Sequence, residues 1–196
     1  HDYMVPGIIV QLVTIVGTLL TAMNIVREKE AGTLDQLNVT PIRRWAFIAA
    51  KLIPLWTFAI VDIGIGLTVA RLVFGVPMVG SVALVFLAGS IYLVGALGIG
   101  LWISTAVETQ QQAMFLTFAL LMGYLLMSGL FTPIRGMPLW AQWTTYINPI
   151  ALFVQVMRAI MLKGAGIADV ARQLLSLAAI GAIAMTVAVR QYHKTS

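Results

Sequence analysis

Charged side chains are scarce in this chain, and their placement limits the chemistry it can do. Only 10% of the 196 residues are Asp, Glu, Lys or Arg. Five charges fall in one fifteen-residue run from Arg27 to Pro41, REKEAGTLDQLNVTP. Within it Glu28, Glu30 and Asp35 offer acidic contacts to an outside surface, and Leu34 and Leu37 offer apolar ones. Asp62 stands inside an apolar stretch. A carboxylate at the centre of a membrane costs about 3 kcal/mol on insertion scales, so it is a candidate for substrate or proton handling. The plainer alternative is an Asp62 that is protonated, or paired with an arginine of another span. Arg158 is the second pathway candidate, in a short apolar stretch that also carries Gln155.

Other chemistries find no support. There is no cysteine, hence no disulfide framework, thiolate metal site or cysteine nucleophile. The two histidines, His1 and His193, lie at opposite ends, and no H-E-x-x-H occurs, which speaks against a metal or intramembrane protease site. No G-x-x-x-x-G-K-[ST] phosphate loop is present, so this chain is not itself an ATPase. No serine lies in a G-x-S-x-G setting.

The elements that hold these residues are apolar runs. The chain is 60% hydrophobic with a mean hydropathy of +0.96, above the range of soluble domains. Five stretches are long enough to span a bilayer: 7–26, 52–74, 82–105, 113–131 and 168–189. They predict an all-α integral membrane protein, one transmembrane domain over 1–196. The net charge of +5 is spread between these runs, so topology explains it better than nucleic-acid binding does. Arg27, Lys29, Arg43, Arg44 and Lys51 form the densest basic cluster, and Arg190 and Lys194 lie in the tail. Both are expected on the cytoplasmic side. Arg71, Arg135, Arg158, Lys163 and Arg172 then fall on or near the outer side, against the rule. Five spans also place the first residue outside. HDYMVPGIIV lacks the basic region of a secretory signal, so the expectation is a longer protein with a further helix upstream.

Local signals divide the charged run. Gly32 suits a C′ position, Thr33 and Gln36 have capping-box spacing, and Thr40-Pro41 reads as N-cap and N1. These predict that the first span ends near Gly32, that a short helix covers 34–38, and that a new helix starts at Pro41. So short a helix needs a surface to lie on. Further on, Gly95, Gly98 and Gly100 make a small-residue face for close helix packing. Asn148-Pro149 and Gly164 bracket a helix too short to cross comfortably. Trp140, Trp143 and Tyr146 precede it with the spacing of an interfacial turn. Together they predict a pair of short outer-leaflet helices, partly re-entrant.

The stretch REKEAGTLDQLNVTPIRRWAFIAAKLIP resembles the cytoplasmic segment of ABC-2 type transporter permeases, through Glu30, Gly32, Thr33, Leu37, Thr40, Pro41, Arg43, Arg44 and Lys51. FGVPMVGS, STAVETQQQAM and LFTPIRGMPLWAQWTTYINPIALFVQVMRAIMLKGAG follow in the family's order. Glu108 departs from the basic residue expected in that loop. The resemblance covers nearly the whole chain and is strongest to the C-terminal part of longer export permeases. It implies a permease subunit in a bacterial inner membrane, exporting an amphipathic or lipid-like compound. It also implies a second permease subunit, identical or similar, and surrounding lipid. The run containing Glu28, Glu30, Gly32, Thr33, Leu34, Leu37, Pro41, Arg43 and Arg44 would couple to separate ATPase subunits, which would hold the ATP and magnesium; no cofactor is expected in this chain. The alternative is an ion-gradient-driven secondary transporter using Asp62.

Overall fold

A computed structural model describes residues 3–32, 44–130, 136 and 138–192. Every regular element among them is a helix: α1 (Val5–Glu30), α2 (Arg44–Leu72), α3 (Val82–Ala106), α4 (Gln110–Leu126), α5 (Leu139–Thr145), α6 (Pro149–Lys163) and α7 (Ile167–Tyr192). Four of these, α1, α2, α3 and α7, are long and apolar enough to cross a membrane. The fifth expected span, 113–131, is α4, which has 17 residues. At roughly 25 Å it lies at the short end for a spanning helix. Its helix starts three residues earlier than the apolar run suggests, because Thr109 caps it by accepting from Gln112 N at 3.2 Å. It ends before Met127, where the chain turns through Gly129 at φ 76°.

The other boundaries follow from local chemistry. α1 has 26 residues, about 39 Å, so its charged last turn overruns the apolar stretch. It ends at Ala31, and Gly32 takes φ +67°, the left-handed C′ geometry that a side chain would resist. α6 begins at Asn148, whose Oδ1 accepts from Ile150 N and Ala151 N at 3.0 and 3.3 Å. It ends with Gly164 at φ 64°. The expected N-terminus at Pro41 and the 34–38 helix fall outside the described residues.

The core is built around α3, which meets α1, α2, α6 and α7. The glycines of GALGIG permit this. A methyl on Gly95 would stand 3.3 Å from the Gly181 Cα of α7, and one on Gly98 would stand 2.9 Å from the Met185 backbone N. One on Gly100 would meet the Thr18 carbonyl of α1 at 2.5 Å. The small-residue face is therefore a seam within the bundle. α6 is buried on almost every side, with Phe153, Val156, Met157 and Ile160 at 0% exposure. The 73–81 connection lies across its end, where Val79 N donates to the Met161 carbonyl at 3.0 Å. By contrast α5 exposes Leu139, Trp140, Trp143 and Tyr146, as an interfacial helix would.

Candidate functional site

The charged end of α1 is where the bundle's polar contacts concentrate. Three consecutive side chains fan out to three different neighbours. Glu28 forms an ion pair with Lys51 in the second turn of α2. Both side chains are half-buried, and the Lys51 ammonium also lies over the Phe47 ring at 5.2 Å. Lys29 Nζ donates to the Val107 carbonyl at 3.0 Å, and Val107 is the C-cap of α3. Glu30 turns the other way. Its Oε1 accepts from the Gln110 backbone N at 2.9 Å, and its Oε2 accepts from Gln110 Nε2 at 2.5 Å. Gln110 is the first residue of α4.

The sequence presented Glu28 and Glu30 as acidic contacts for an outside partner. In the fold both reach neighbouring helices of the same chain. Gly32 stands just beyond them, in the conformation that the sequence predicted. Thr33, Leu34, Leu37, Pro41 and Arg43 lie outside the described residues, as does the side chain of Arg44. Glu108, the residue that departs from expectation, is exposed in the α3–α4 turn beside this cluster.

Asp62 and Arg158 are not brought together. Asp62 lies on α2 between the buried Ala59 and Ile63 and the outward Phe58, Val61 and Ile65. Its Oδ2 is sealed from solvent without a hydrogen-bond partner, and no arginine pairs with it among the described residues. Arg158 bonds to backbone instead. Its Nε donates to the Tyr3 carbonyl at 3.0 Å and its Nη1 to the Gly129 carbonyl at 3.4 Å, with the guanidinium 4.1 Å from the centre of the Tyr3 ring. It fastens α6 to the start of α1 and to the turn after α4, at the end opposite the charged cluster.

Two further features have no local sequence signal. Thr14 and Tyr92 share a hydrogen bond of 2.5 Å between α1 and α3, and Tyr92 stacks on Phe153 of α6 at 4.3 Å. Beside this pair an apolar cleft runs between α1 and α4, lined by Gln11, Thr14, Phe118, Met122 and Ile150 among others. Both arise where distant segments meet, and only the apolar periodicity of each helix hinted at them. Among the described residues, no group of acidic or histidine side chains could hold a metal ion.

The ABC-2 type transporter family matches residues 1–162. A probable multidrug ABC transporter permease of Escherichia coli K12, YbhR, is 34% identical over 192 residues, which are 98% of this chain and 52% of that protein. The inner membrane transport permease YhhJ of the same organism is 31% identical over 188 residues, 95% of this chain and 50% of YhhJ. ABC transporter G family member 20 of Dictyostelium discoideum is 30% identical over 167 residues, 85% of this chain and 23% of that protein. The chain thus spans about half the length of its bacterial relatives.

Proposed function

The chain belongs to the ABC-2 type transporter family, and from that premise we propose that it is the membrane-spanning part of a permease subunit in an ATP-driven exporter. The substrate is an amphipathic or lipid-like compound moved outward across a bacterial inner membrane. ATP and magnesium are held by separate ATPase subunits, and a second permease copy, identical or similar, completes the pathway. The run from Glu28 to Arg44 carries the coupling, with Gly32, Thr33, Leu34 and Leu37 at its centre.

The observation that carries this reading is the convergence at the charged end of α1. The family's polar run begins in the last turn of α1, where α1 is tied to α2 by Glu28, to α3 by Lys29 and to α4 by Glu30. A push on the run therefore meets four helices at once. The cleft of Gln11, Thr14, Phe118 and Met122 is apolar with two polar groups, a composition that suits an amphipathic ligand. The family match favours ATP over an ion gradient as the driving force.

The test is reconstitution of the full-length permease in proteoliposomes, with the ATP-binding protein that co-purifies with it. ATP should drive movement of an amphipathic dye, and acidic substitutions at Leu34 and Leu37 should lower ATPase retention. Transport that proceeds on a proton or sodium gradient, with no ATPase bound, would sink the proposal.

A further inference from the structure

The turn between α3 and α4 lies under two neighbouring side chains of opposite charge. Lys29 places a cation on the Val107 carbonyl, at the negative end of the α3 dipole. Glu30 places an anion on the Gln110 N–H, at the positive end of the α4 dipole. Each charge has the sign that its helix end favours. Reversing the order of the two would oppose both.

Starting α4 does not require Glu30. Thr109 already caps the helix through Gln112 N, as a threonine N-cap ordinarily does. The added carboxylate instead fixes where α4 starts relative to the last turn of α1. Along its length α4 buries only Ala113, Thr117 and Leu125, and its main neighbour is α1. α4 is thus held at its first residue and along one face by the same partner.

We infer that Lys29 and Glu30 are positioning residues that lock the 107–110 turn to the end of α1, so that α4 moves with α1 during transport. Motion at the charged end then reaches α4 directly, without passing through α3. This rests on the ATP-driven reading above, and it assigns Glu30 to the permease's own mechanics rather than to a partner's surface.

The experiment uses the full-length permease with its ATPase in proteoliposomes. This chain has no cysteine, so once any cysteine elsewhere in the full-length permease and its ATPase is replaced by serine, Glu30→Cys with Gln110→Cys gives one addressable pair per permease. Without cross-linking the Glu30 half of the lock, the half that reaches α4, is broken. ATP-driven transport should fall roughly fivefold or more while ATP hydrolysis stays within about twofold, the scale of ordinary coupling free energies. A short bis-thiol linker should then restore transport. Unchanged transport in the open variant, or arrest on cross-linking, would overturn the inference. If the double variant does not accumulate, Glu30→Ala, which removes both bonds to Gln110, gives a second measurement: transport lost with hydrolysis retained supports the lock, and both retained overturns it. Cross-linking yield reports the contact whether or not ATP drives transport, so failure of the functional reading would be recognised separately.

Discussion

Asn148 and Tyr124 join the two ends of a loop with one side chain. Asn148 Nδ2 donates to the Tyr124 carbonyl in the last turn of α4 at 2.7 Å, while its Oδ1 caps α6. The residue is 2% exposed. It therefore supplies a donor to a helix end that lacks one and an acceptor to another.

Asn148→Ala is expected to lose both roles. The cap is worth about 1–2 kcal/mol, and the stranded Tyr124 carbonyl adds about 1 kcal/mol. Asn148→Thr keeps a capping oxygen without the reach to Tyr124, so its loss should be smaller. Unfolding of the permease in mild detergent titrated with dodecyl sulfate gives the comparison. Equal losses for both variants would show that the Tyr124 bond contributes nothing.

Two glycines should respond in opposite ways to one methyl group. A Cβ on Gly98 meets Met185 N at 2.9 Å and Met185 Cα at 3.2 Å, both backbone. Gly98→Ala should therefore cost about 1–3 kcal/mol, the usual range for overpacking. A Cβ on Gly123 meets nothing within 4 Å, and Gly123→Ala inside α4 should be stabilising by about 0.5–1 kcal/mol. The same denaturation assay checks both, and a neutral Gly98→Ala would mean that the seam is looser than described.

Arg158 can be dissected through its partner. Tyr3→Leu removes the ring beneath the guanidinium and leaves the carbonyl bond, at a cost of about 0.5–1 kcal/mol. Arg158→Ala removes the ring contact and both carbonyl bonds, and should cost about 2–3 kcal/mol. Arg158→Lys keeps the charge but lacks the fork that spans two acceptors, so it should fall between the two. Transport rates measured on the same preparations test the pathway role. A rate lost in Arg158→Lys with the fold intact would support a pathway role for this residue.

Asp62 separates the two driving forces. Its unpartnered Oδ2 makes it a burden on the fold, and Asp62→Leu should raise stability by about 2–3 kcal/mol on the insertion scale. Under the ATP-driven reading Asp62→Asn leaves ATP-dependent transport largely intact. Loss of transport in Asp62→Asn, with ATP hydrolysis unchanged, would count against that reading.

Local features were legible in the sequence, and contacts between distant segments were not. Gly32 and Gly164 announced helix ends because a left-handed residue is most easily a glycine, and both take positive φ. Asn148-Pro149 announced α6 because cap and fixed φ are chemistry of adjacent residues. The four long helices were visible as apolar runs. The start of α4 was misplaced because Gln110 to Gln112 are polar, and only the Thr109 cap shows why they are helical. Lys29 and Glu30 were seen as charges, but their targets lie about eighty positions away, and no periodicity reports such a distance. Asp62 was visible as an anomaly, and its lack of a partner became visible only in the fold.

Gly95 and Gly181 meet backbone to backbone, with no side chain between them. Side chains act as springs between helices: they change rotamer, and a neighbour can slide. A joint without them has almost no play. On the exporter reading proposed above, α3 and α7 act as one rigid piece, and the stroke is taken up at other seams of the bundle.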